Sequence, residues 1–196
     1  MTAYSDTDYA GCTTSRKSTS SSLVFFGSHL LRASSTTQGV IALSSGEGEF
    51  YAAVKSASVS LGMKAMMIDL GVDLNTPIRL YVDSTACLGA AGRRGAGQIR
   101  HIATSTLWLQ SAVGEGRIAL AKVAGTENPA DLGTKVLGGT VLTGLLRRCG
   151  LLYLEGGLTY PAVAFALAPP NASLPPLTTD GFQGTYDQVK VSCCRA

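Results

Sequence analysis

Short apolar runs separated by Gly and Ser clusters predict strands in the first part of the chain. Residues 22–26 (Ser-Leu-Val-Phe-Phe) form the clearest run, and the Gly27-Ser28 pair that follows is typical of a turn. Residues 29–33 fit the returning strand of a hairpin, and residues 4–10 and 39–43 also have strand-like patterns. Consecutive strands joined by short turns predict an antiparallel meander.

The longest helical pattern begins at Ser44. Ser44 is placed to cap the free amide groups of a helix start, and Glu47, three residues later, completes a capping box. Apolar side chains then recur at helical spacing to about Leu70, and Gly71 fits the position after a helix end. One buried face is predicted, made of Phe50, Ala53, Val54, Ala57, Leu61, Ala65 and Ile68.

The second half of the chain alternates between strand and helix patterns. Residues 77–82 (Pro-Ile-Arg-Leu-Tyr-Val) are strongly strand-like and are followed by Asp83, and residues 117–123 predict another strand. Helical stretches are predicted at residues 84–92, 99–113, 129–134 and about 140–154. Three strands followed by alternating helices and strands are typical of a mixed α/β fold.

The composition favours one packed domain followed by a tail. Of the 196 residues, 45% are hydrophobic and only 15% are charged, which is enough apolar surface to offset chain entropy. After Glu155 the pattern changes, because Gly156-Gly157 and the Pro pairs at 169–170 and 175–176 interrupt any regular element. We therefore expect a domain over residues 1–155 and a poorly ordered tail over residues 156–196.

The net charge leaves the binding partner open, whereas the cysteines and the first residues of the chain indicate the cellular compartment. A formal net charge of +3 permits a nucleic-acid partner without arguing for one. The five cysteines include no C-x-x-C pair, so neither a disulfide framework nor a zinc site is expected. The first residues are no signal peptide, and no apolar run has the length of a membrane span. These features predict an intracellular protein, cytoplasmic or nuclear and not secreted, with no membrane partner.

Four acidic residues lie at predicted strand ends or helix starts. Asp6 follows the opening of the first strand, Glu49 lies in the first turns of the long helix, Asp83 ends a strand, and Asp131 begins a late helix. Strand ends and helix starts meet at one edge of an α/β sheet, where divalent cations offset the repulsion between crowded carboxylates. On spacing alone the signal is weak, and ordinary acids that share no site are the favoured interpretation.

Local sequence around these acids distinguishes the two interpretations. The four segments are residues 4–11 (YSDTDYAG), 41–53 (IALSSGEGEFYAA), 81–84 (YVDS) and 128–135 (NPADLGTK). In this order they resemble the ribonuclease H domain at the C-terminal end of Ty1/copia-type retrotransposon Pol polyproteins. Residues 145–151 (LLRRCGL) are similar to the terminal helix of that family. The resemblance covers about 150 residues and leaves out the tail.

The resemblance implies a ribonuclease H-like fold, with a mixed sheet of three antiparallel strands and two further strands flanked by helices. It also implies a hydrolase, a metal-dependent endonuclease that cuts the RNA strand of RNA–DNA hybrids during reverse transcription. The implied cofactor is Mg²⁺, as two ions for which Mn²⁺ can substitute. The implied partners are the hybrid itself and the reverse transcriptase domain of the same or a related polyprotein.

The implied catalytic and metal-binding residues are Asp6, Glu49, Asp83 and Asp131. By resemblance, Asp6 bridges both ions, Glu49 and Asp83 hold the first, and Asp131 holds the second. The sequence departs from the family at Gly48, which stands where the family usually has Ala. Two glycines around Glu49 leave an alternative open, namely a catalytically decayed retrotransposon remnant that binds nucleic acid or acts only as an interaction module.

Two basic segments are candidates for contact with nucleic acid. Cationic side chains neutralise backbone phosphates and hydroxyls donate to phosphate oxygens, but solvated loops have the same composition. The candidate residues are Arg16, Lys17, Ser18, Thr19, Arg93, Arg94, Arg100 and His101. For His101 a helix-capping role is the alternative. Asp8, two residues after Asp6, fits either a metal-assisting acid or a solvated turn residue.

Overall fold

A five-stranded mixed sheet forms the centre of the fold. The structure, a computed structural model, describes residues 1–95, 97, 104–154 and 157–159. The strands are β1 (Thr2–Thr7), β2 (Thr19–Phe26), β3 (His29–Thr37), β4 (Ile78–Val82) and β5 (Ile118–Lys122). Their order across the sheet is β3-β2-β1-β4-β5. The first three are antiparallel, and β4 is parallel to both β1 and β5.

This arrangement confirms the predicted α/β class and is compatible with the predicted ribonuclease H-like fold. The remaining elements are α1 (Ser45–Asp69), α2 (Thr85–Ala91), α3 (Trp108–Gly114), α4 (Gly139–Arg148), and a pair of short strands, β6 (Leu152–Leu154) and β7 (Gly157–Thr159). A 3₁₀ helix at Pro129–Gly133, which we name the Asp131 turn, precedes α4. No helix in the described part of the chain combines the length and hydrophobicity needed to cross a bilayer.

The two faces of the sheet are covered by different elements. Successive residues of a strand point to opposite faces, so Ala3 and Val24 pack with α1, α2 and α3, whereas Tyr4 and Leu23 pack towards the Asp131 turn and the end of α4. Leu107 and Trp108, in the stretch predicted as helical, pack against the first of these two cores. The sheet is therefore the middle layer of the fold.

Helix α1 begins as predicted but buries less of its length than predicted. The Ser44 side chain accepts from the Glu47 amide, and the Glu47 carboxylate accepts from the Leu43 amide. The prediction that Ala65 and Ile68 are buried is wrong, since both are exposed. The 25 residues of α1 span about 37 Å, whereas the 6 residues of β1 span about 20 Å. The C-terminal end of α1 is therefore longer than the sheet can cover, although Leu61 and Met63 still pack against the core.

Two other segments differ from the prediction, and a third is described only in part. Residues 39–43 are not a strand, because β3 runs to Thr37 and already occupies the free edge of β2. The pattern over residues 140–154 is divided: α4 ends at Arg148, and Gly150 follows with a φ of 70°, a conformation that favours glycine. Of the helix predicted at 99–113, residues 99–103 lie outside the described part.

The expected tail falls mostly outside the described residues. Gly157–Thr159 forms strand β7 and pairs antiparallel with β6, so regular structure continues past the boundary predicted at residue 155. The rest of the segment predicted to be poorly ordered, residues 160–196, is not described. The tail therefore stays a prediction from composition.

Candidate metal centre

Three of the four predicted carboxylates meet at one edge of the sheet. Asp6, Glu49 and Asp83 each offer one oxygen, and these oxygens lie within 4.8 Å of one another. Asp6 is only 1% exposed and Glu49 only 9% exposed. Carboxylates are rarely buried this deeply unless they are paired or coordinate a metal. The cluster is therefore a candidate site for a divalent cation.

The strand register explains why Asp6 and Asp83 meet. Strands β1 and β4 are parallel neighbours, with Tyr4 opposite Tyr81, so their carboxyl ends lie at the same edge. Two residues further along each strand bring Asp6 and Asp83 to the same level. The stacked rings of Tyr4 and Tyr81, with centroids 4.9 Å apart and planes inclined by 13°, pack immediately below them.

Glu49 comes from the opposite face of the sheet. It lies in the first turns of α1, which packs on β1 and β2, and its carboxylate accepts a hydrogen bond from the backbone of Thr7. Its second oxygen, Oε2, is buried and has no hydrogen-bond partner among the described residues. A buried carboxylate oxygen without a donor is unusual, because such a group normally finds a partner. A cation bound between the three carboxylates is the partner that this oxygen fits.

Burial raises the pKa of both buried acids. The pKa of Asp6 is raised to about 6 by desolvation, although the hydrogen bond from Thr134 and the charge of Lys135 act in the opposite direction. The pKa of Glu49 is raised to about 8, again mainly by desolvation and then by the charges of Asp6 and Asp83. Near neutral pH the metal-free chain therefore holds Glu49 largely protonated, and a divalent cation bound here would favour the ionised carboxylates.

Asp131 approaches the same edge but is paired with a lysine. The Asp131 turn brings its carboxylate to 2.7 Å from the Lys135 ammonium, and the same ammonium lies 3.6 Å from an oxygen of Asp6. Asp131 raises the pKa of Asp6 through its charge, which shows that the two acids interact. It is not part of the group of three, so the structure places the fourth predicted ligand beside the cluster, with Lys135 between.

Asn128 fixes the Asp131 turn to the sheet, a role that the sequence did not reveal. Its side-chain amide donates to the carbonyl of Ser5, and its side-chain oxygen accepts from the amide of Ala130, which caps the turn. Thr134, at the other end, donates from its hydroxyl to Asp6. Asn128 is completely buried. The only sequence signal was its place directly before Pro129, which is typical of a cap.

Gln38 is a second buried residue that sequence reasoning missed. Its side-chain nitrogen lies within hydrogen-bond distance of the Thr7 hydroxyl at 3.2 Å, the Ser20 hydroxyl at 2.9 Å and the Gly48 carbonyl at 2.9 Å. It thereby connects β1 and β2 to the first turns of α1, next to Glu49. Nothing in the local pattern distinguished this Gln from an ordinary loop residue.

The loop between β1 and β2 presents only part of its predicted nucleic-acid surface. Arg16 is exposed, with a φ of 58°, and Lys17 is half-buried. Ser18 and Thr19 are buried: the Ser18 hydroxyl accepts from the Ala10 amide, and the Thr19 amide donates to the Asp8 carboxylate. The two hydroxyl residues therefore hold the loop together, and Asp8 anchors the loop and is not one of the three clustered carboxylates.

The second basic segment is described only in part. Arg93 and Arg94 are exposed after the end of α2, and the guanidinium of Arg93 lies over Gly97. Arg100 and His101 lie outside the described residues. Two arginines therefore stand as exposed candidates for phosphate contact, and the roles of Arg100 and His101 stay predictions.

Comparisons with known proteins identify relatives for most of the chain. No family model matches the sequence. The chain is 28% identical over 138 residues, 70% of its length, to the retrovirus-related Pol polyprotein from transposon TNT 1-94 of Nicotiana tabacum. It is 28% identical over 151 residues, and 27% identical over 150 residues, to the retrovirus-related Pol polyproteins from transposons RE2 and RE1 of Arabidopsis thaliana, each match covering 76% of the chain.

Each match covers 10% of the relative, so the chain spans about a tenth of the length of the curated relatives it matches. The similarity confirms the predicted resemblance at the level of the polyprotein. Over about three quarters of its length, this chain is similar to retrovirus-related Pol polyproteins from transposons.

Proposed function

We propose that this chain is a metal-dependent endonuclease that hydrolyses the RNA strand of RNA–DNA hybrids. The observation that carries the proposal is the cluster of Asp6, Glu49 and Asp83, whose oxygens lie within 4.8 Å of one another at the sheet edge. Similarity to Pol polyproteins of transposons supports a role in copying a nucleic acid, and the mixed sheet is compatible with a ribonuclease H-like fold. The remainder of such a polyprotein, including its reverse transcriptase domain, is the proposed partner.

Asp6, Glu49 and Asp83 are the residues that would hold Mg²⁺, or Mn²⁺ in its place. All are oxygen donors, which Mg²⁺ prefers, and the unpartnered Oε2 of Glu49 gives the cluster an open coordination position. Asp131 is the proposed fourth ligand, for a second ion. Bound ions supply neutralisation of the developing negative charge and a more acidic water for in-line displacement at phosphorus.

The chain's own residues orient the ligands and the substrate. Thr134 holds one oxygen of Asp6 through its hydroxyl, and the Thr7 backbone holds one oxygen of Glu49. The exposed side chains of Arg16, Arg93 and Arg94 are proposed to contact backbone phosphates of the hybrid. In hydrolysis the phosphorus–oxygen bond of the RNA strand breaks, the water oxygen bonds to phosphorus, and the leaving oxygen takes up a proton.

The test is cleavage of an end-labelled RNA–DNA hybrid by the full chain, with Mg²⁺ or with EDTA. We expect Mg²⁺-dependent cleavage that Asp83→Asn lowers at least about 100-fold, since even residues that only support metal ligands contribute 10- to 100-fold. Asp73→Asn, an exposed acid in the loop after α1, is the matched control and is expected to cleave like the wild type.

Two results separate the proposal from its alternative. Cleavage that survives EDTA, or that Asp83→Asn leaves unchanged, contradicts the metal centre. Tight binding of the hybrid without cleavage in either Mg²⁺ or Mn²⁺ indicates instead a remnant that retains only nucleic-acid binding.

A further inference from the structure

The ammonium of Lys135 lies between two of the proposed metal ligands. Its Nζ is 2.7 Å from Asp131 Oδ1 and 3.6 Å from Asp6 Oδ1. The lysine ammonium therefore already occupies the side of the centre where a second divalent ion would need both carboxylates as ligands. The inference below rests on the proposed function and concerns how many ions the centre accepts.

The local fold holds Lys135 in this place. Its backbone amide donates to the carbonyl of Asp131 at 3.0 Å, so the side chain four residues along returns to the Asp131 carboxylate. The preceding residue, Thr134, is bound to Asp6 through its hydroxyl. The backbone of the lysine and the residue before it are thus each bonded to an acid that the lysine pairs with, so its position follows from the turn.

The environment of Lys135 differs from that of the open cluster. Glu49 Oε2 is buried and has no hydrogen-bond partner in the described part of the chain, whereas the Lys135 ammonium contacts the Asp131 carboxylate. The Lys135 side chain is 41% exposed, so it has a path into solvent that does not disturb the buried core. A flexible four-carbon stem allows an ammonium to leave one partner for another within reach.

We propose that Lys135 is the resident cation of the Asp131 side of the centre. The chain without nucleic acid then binds one divalent ion, held by Asp6, Glu49 and Asp83. A second ion enters only when the Lys135 side chain turns away from Asp131. A substrate phosphate is the partner that draws the ammonium outward, because it offers a negative charge in solvent next to the centre.

The reason is electrostatic. An ammonium and a divalent cation repel each other, and the repulsion is strong where water is largely excluded. Asp6 and Asp131 cannot satisfy both cations at once, because the ammonium already contacts an oxygen of each. Lys135 is accordingly a positioning residue, which sets the order in which ions bind.

The experiment counts Mn²⁺ ions bound to the full chain in the absence of nucleic acid, by electron paramagnetic resonance of the free ion. We expect one bound ion per wild-type chain and two per Lys135→Met chain. Lys135→Arg retains the charge and is expected to bind one ion. Lys122→Met removes an exposed lysine at the end of β5 and is the matched control, also expected to bind one ion.

Folding of each variant is checked by circular dichroism, and Lys135→Gln replaces Lys135→Met if the latter does not fold. Two ions in the wild type, one ion in the uncharged variants, or two ions in Lys135→Arg would each overturn the inference. If one ion binds to the wild type and is lost in Asp83→Asn, the proposed centre stands whatever Lys135 does. If no variant binds Mn²⁺, the proposed function fails as well.

Discussion

The side-chain amide of Asn128 donates a hydrogen bond of 2.9 Å to the carbonyl of Ser5, the residue directly before Asp6. The bond joins the first strand of the sheet to the turn that carries Asp131. Both partners are completely buried, so no water replaces either group if the other is lost. The relative placement of Asp6 and Asp131 therefore depends on a residue that is not itself a ligand.

We expect Asn128→Ala to lower the free energy of unfolding by about 1–3 kcal/mol, because it leaves a buried carbonyl without its donor. It also removes the cap on the Ala130 amide, and we expect weaker Mn²⁺ binding as the turn loosens. Urea denaturation and Mn²⁺ titration measure the two effects. Asn75→Ala, in the exposed loop before β4, is the control. Equal stability of the two variants would show that the Asn128 bond contributes little.

Gly133 allows the Asp131 turn to approach β2, and its replacement tests that contact. A Cβ at Gly133 would lie 2.4 Å from Ser21 Oγ and 2.9 Å from Ser21 Cβ, which are distances that real side chains do not adopt. We expect Gly133→Ala to destabilise the fold, with typical overpacking penalties of about 1–3 kcal/mol, and to weaken Mn²⁺ binding. The readouts are the thermal midpoint and the Mn²⁺ affinity.

Gly62→Ala is the matched control for this substitution. Gly62 is exposed in the C-terminal half of α1, and nothing lies within 4 Å of a Cβ there. This variant should gain up to about 1 kcal/mol, because Ala favours helix over Gly. Combining Gly133→Ala with Ser21→Gly should restore part of the lost stability. A Gly133→Ala chain as stable as the wild type would contradict the close packing described for the turn.

The raised pKa values predict that the metal-free chain loses stability as pH rises. The pKa of Glu49 is about 8 in the folded chain against an ordinary 4.5, and that of Asp6 is about 6 against 3.8. At a pH between the unfolded and folded pKa values of each acid, the folded chain keeps a proton that the unfolded chain has released. Increasing pH therefore favours unfolding. The free energy of unfolding should fall from about pH 4 to about pH 8 in EDTA.

Glu49→Gln should flatten this dependence, and at pH 8 it should raise the free energy of unfolding by roughly 1 kcal/mol or more, since one pKa unit corresponds to about 1.4 kcal/mol. Urea denaturation in EDTA at several pH values is the measurement. Glu115→Gln, an exposed acid, should keep the wild-type slope. A wild-type stability that rises between pH 5 and pH 8 would show that Glu49 is not destabilised by burial.

The sequence predicted the positions of the acids better than the way they are held. Asp6 lies near the end of β1, Glu49 in the first turns of α1 and Asp83 directly after β4. Parallel pairing of β1 with β4 then brings Asp6 and Asp83 together. That relation is readable from local pattern, because strand and helix periods are strong signals. The sequence placed Lys135 in the segment of residues 128–135 but did not reveal its ion pairs. These depend on the geometry of the Asp131 turn, which no hydrophobic periodicity predicts.

The fold was predicted in outline and differs where tertiary contacts decide. Residues 39–43 are as apolar as many strands, yet β3 takes the place beside β2, and Val40 and Ile41 are left exposed. Ser18 and Thr19 suggested phosphate contact because hydroxyl groups suit phosphates, but Asp8 and the Ala10 amide use them inside the loop. Local composition does not reveal which of two polar partners a side chain finds.

Ser5 and Asn128 are 123 positions apart, so the hydrogen bond between them can form only after the chain has been synthesised as far as Asn128. While the chain is being synthesised, Asp6, Glu49 and Asp83 are all made before the residue that anchors the last turn has been added. A nascent or prematurely terminated chain that stops short of Asn128 therefore carries the three acids without the Asp131 turn beside them. Such a fragment lacks Asn128, Asp131 and Lys135, so it would lose the anchor of the turn together with the lysine proposed to limit ion entry.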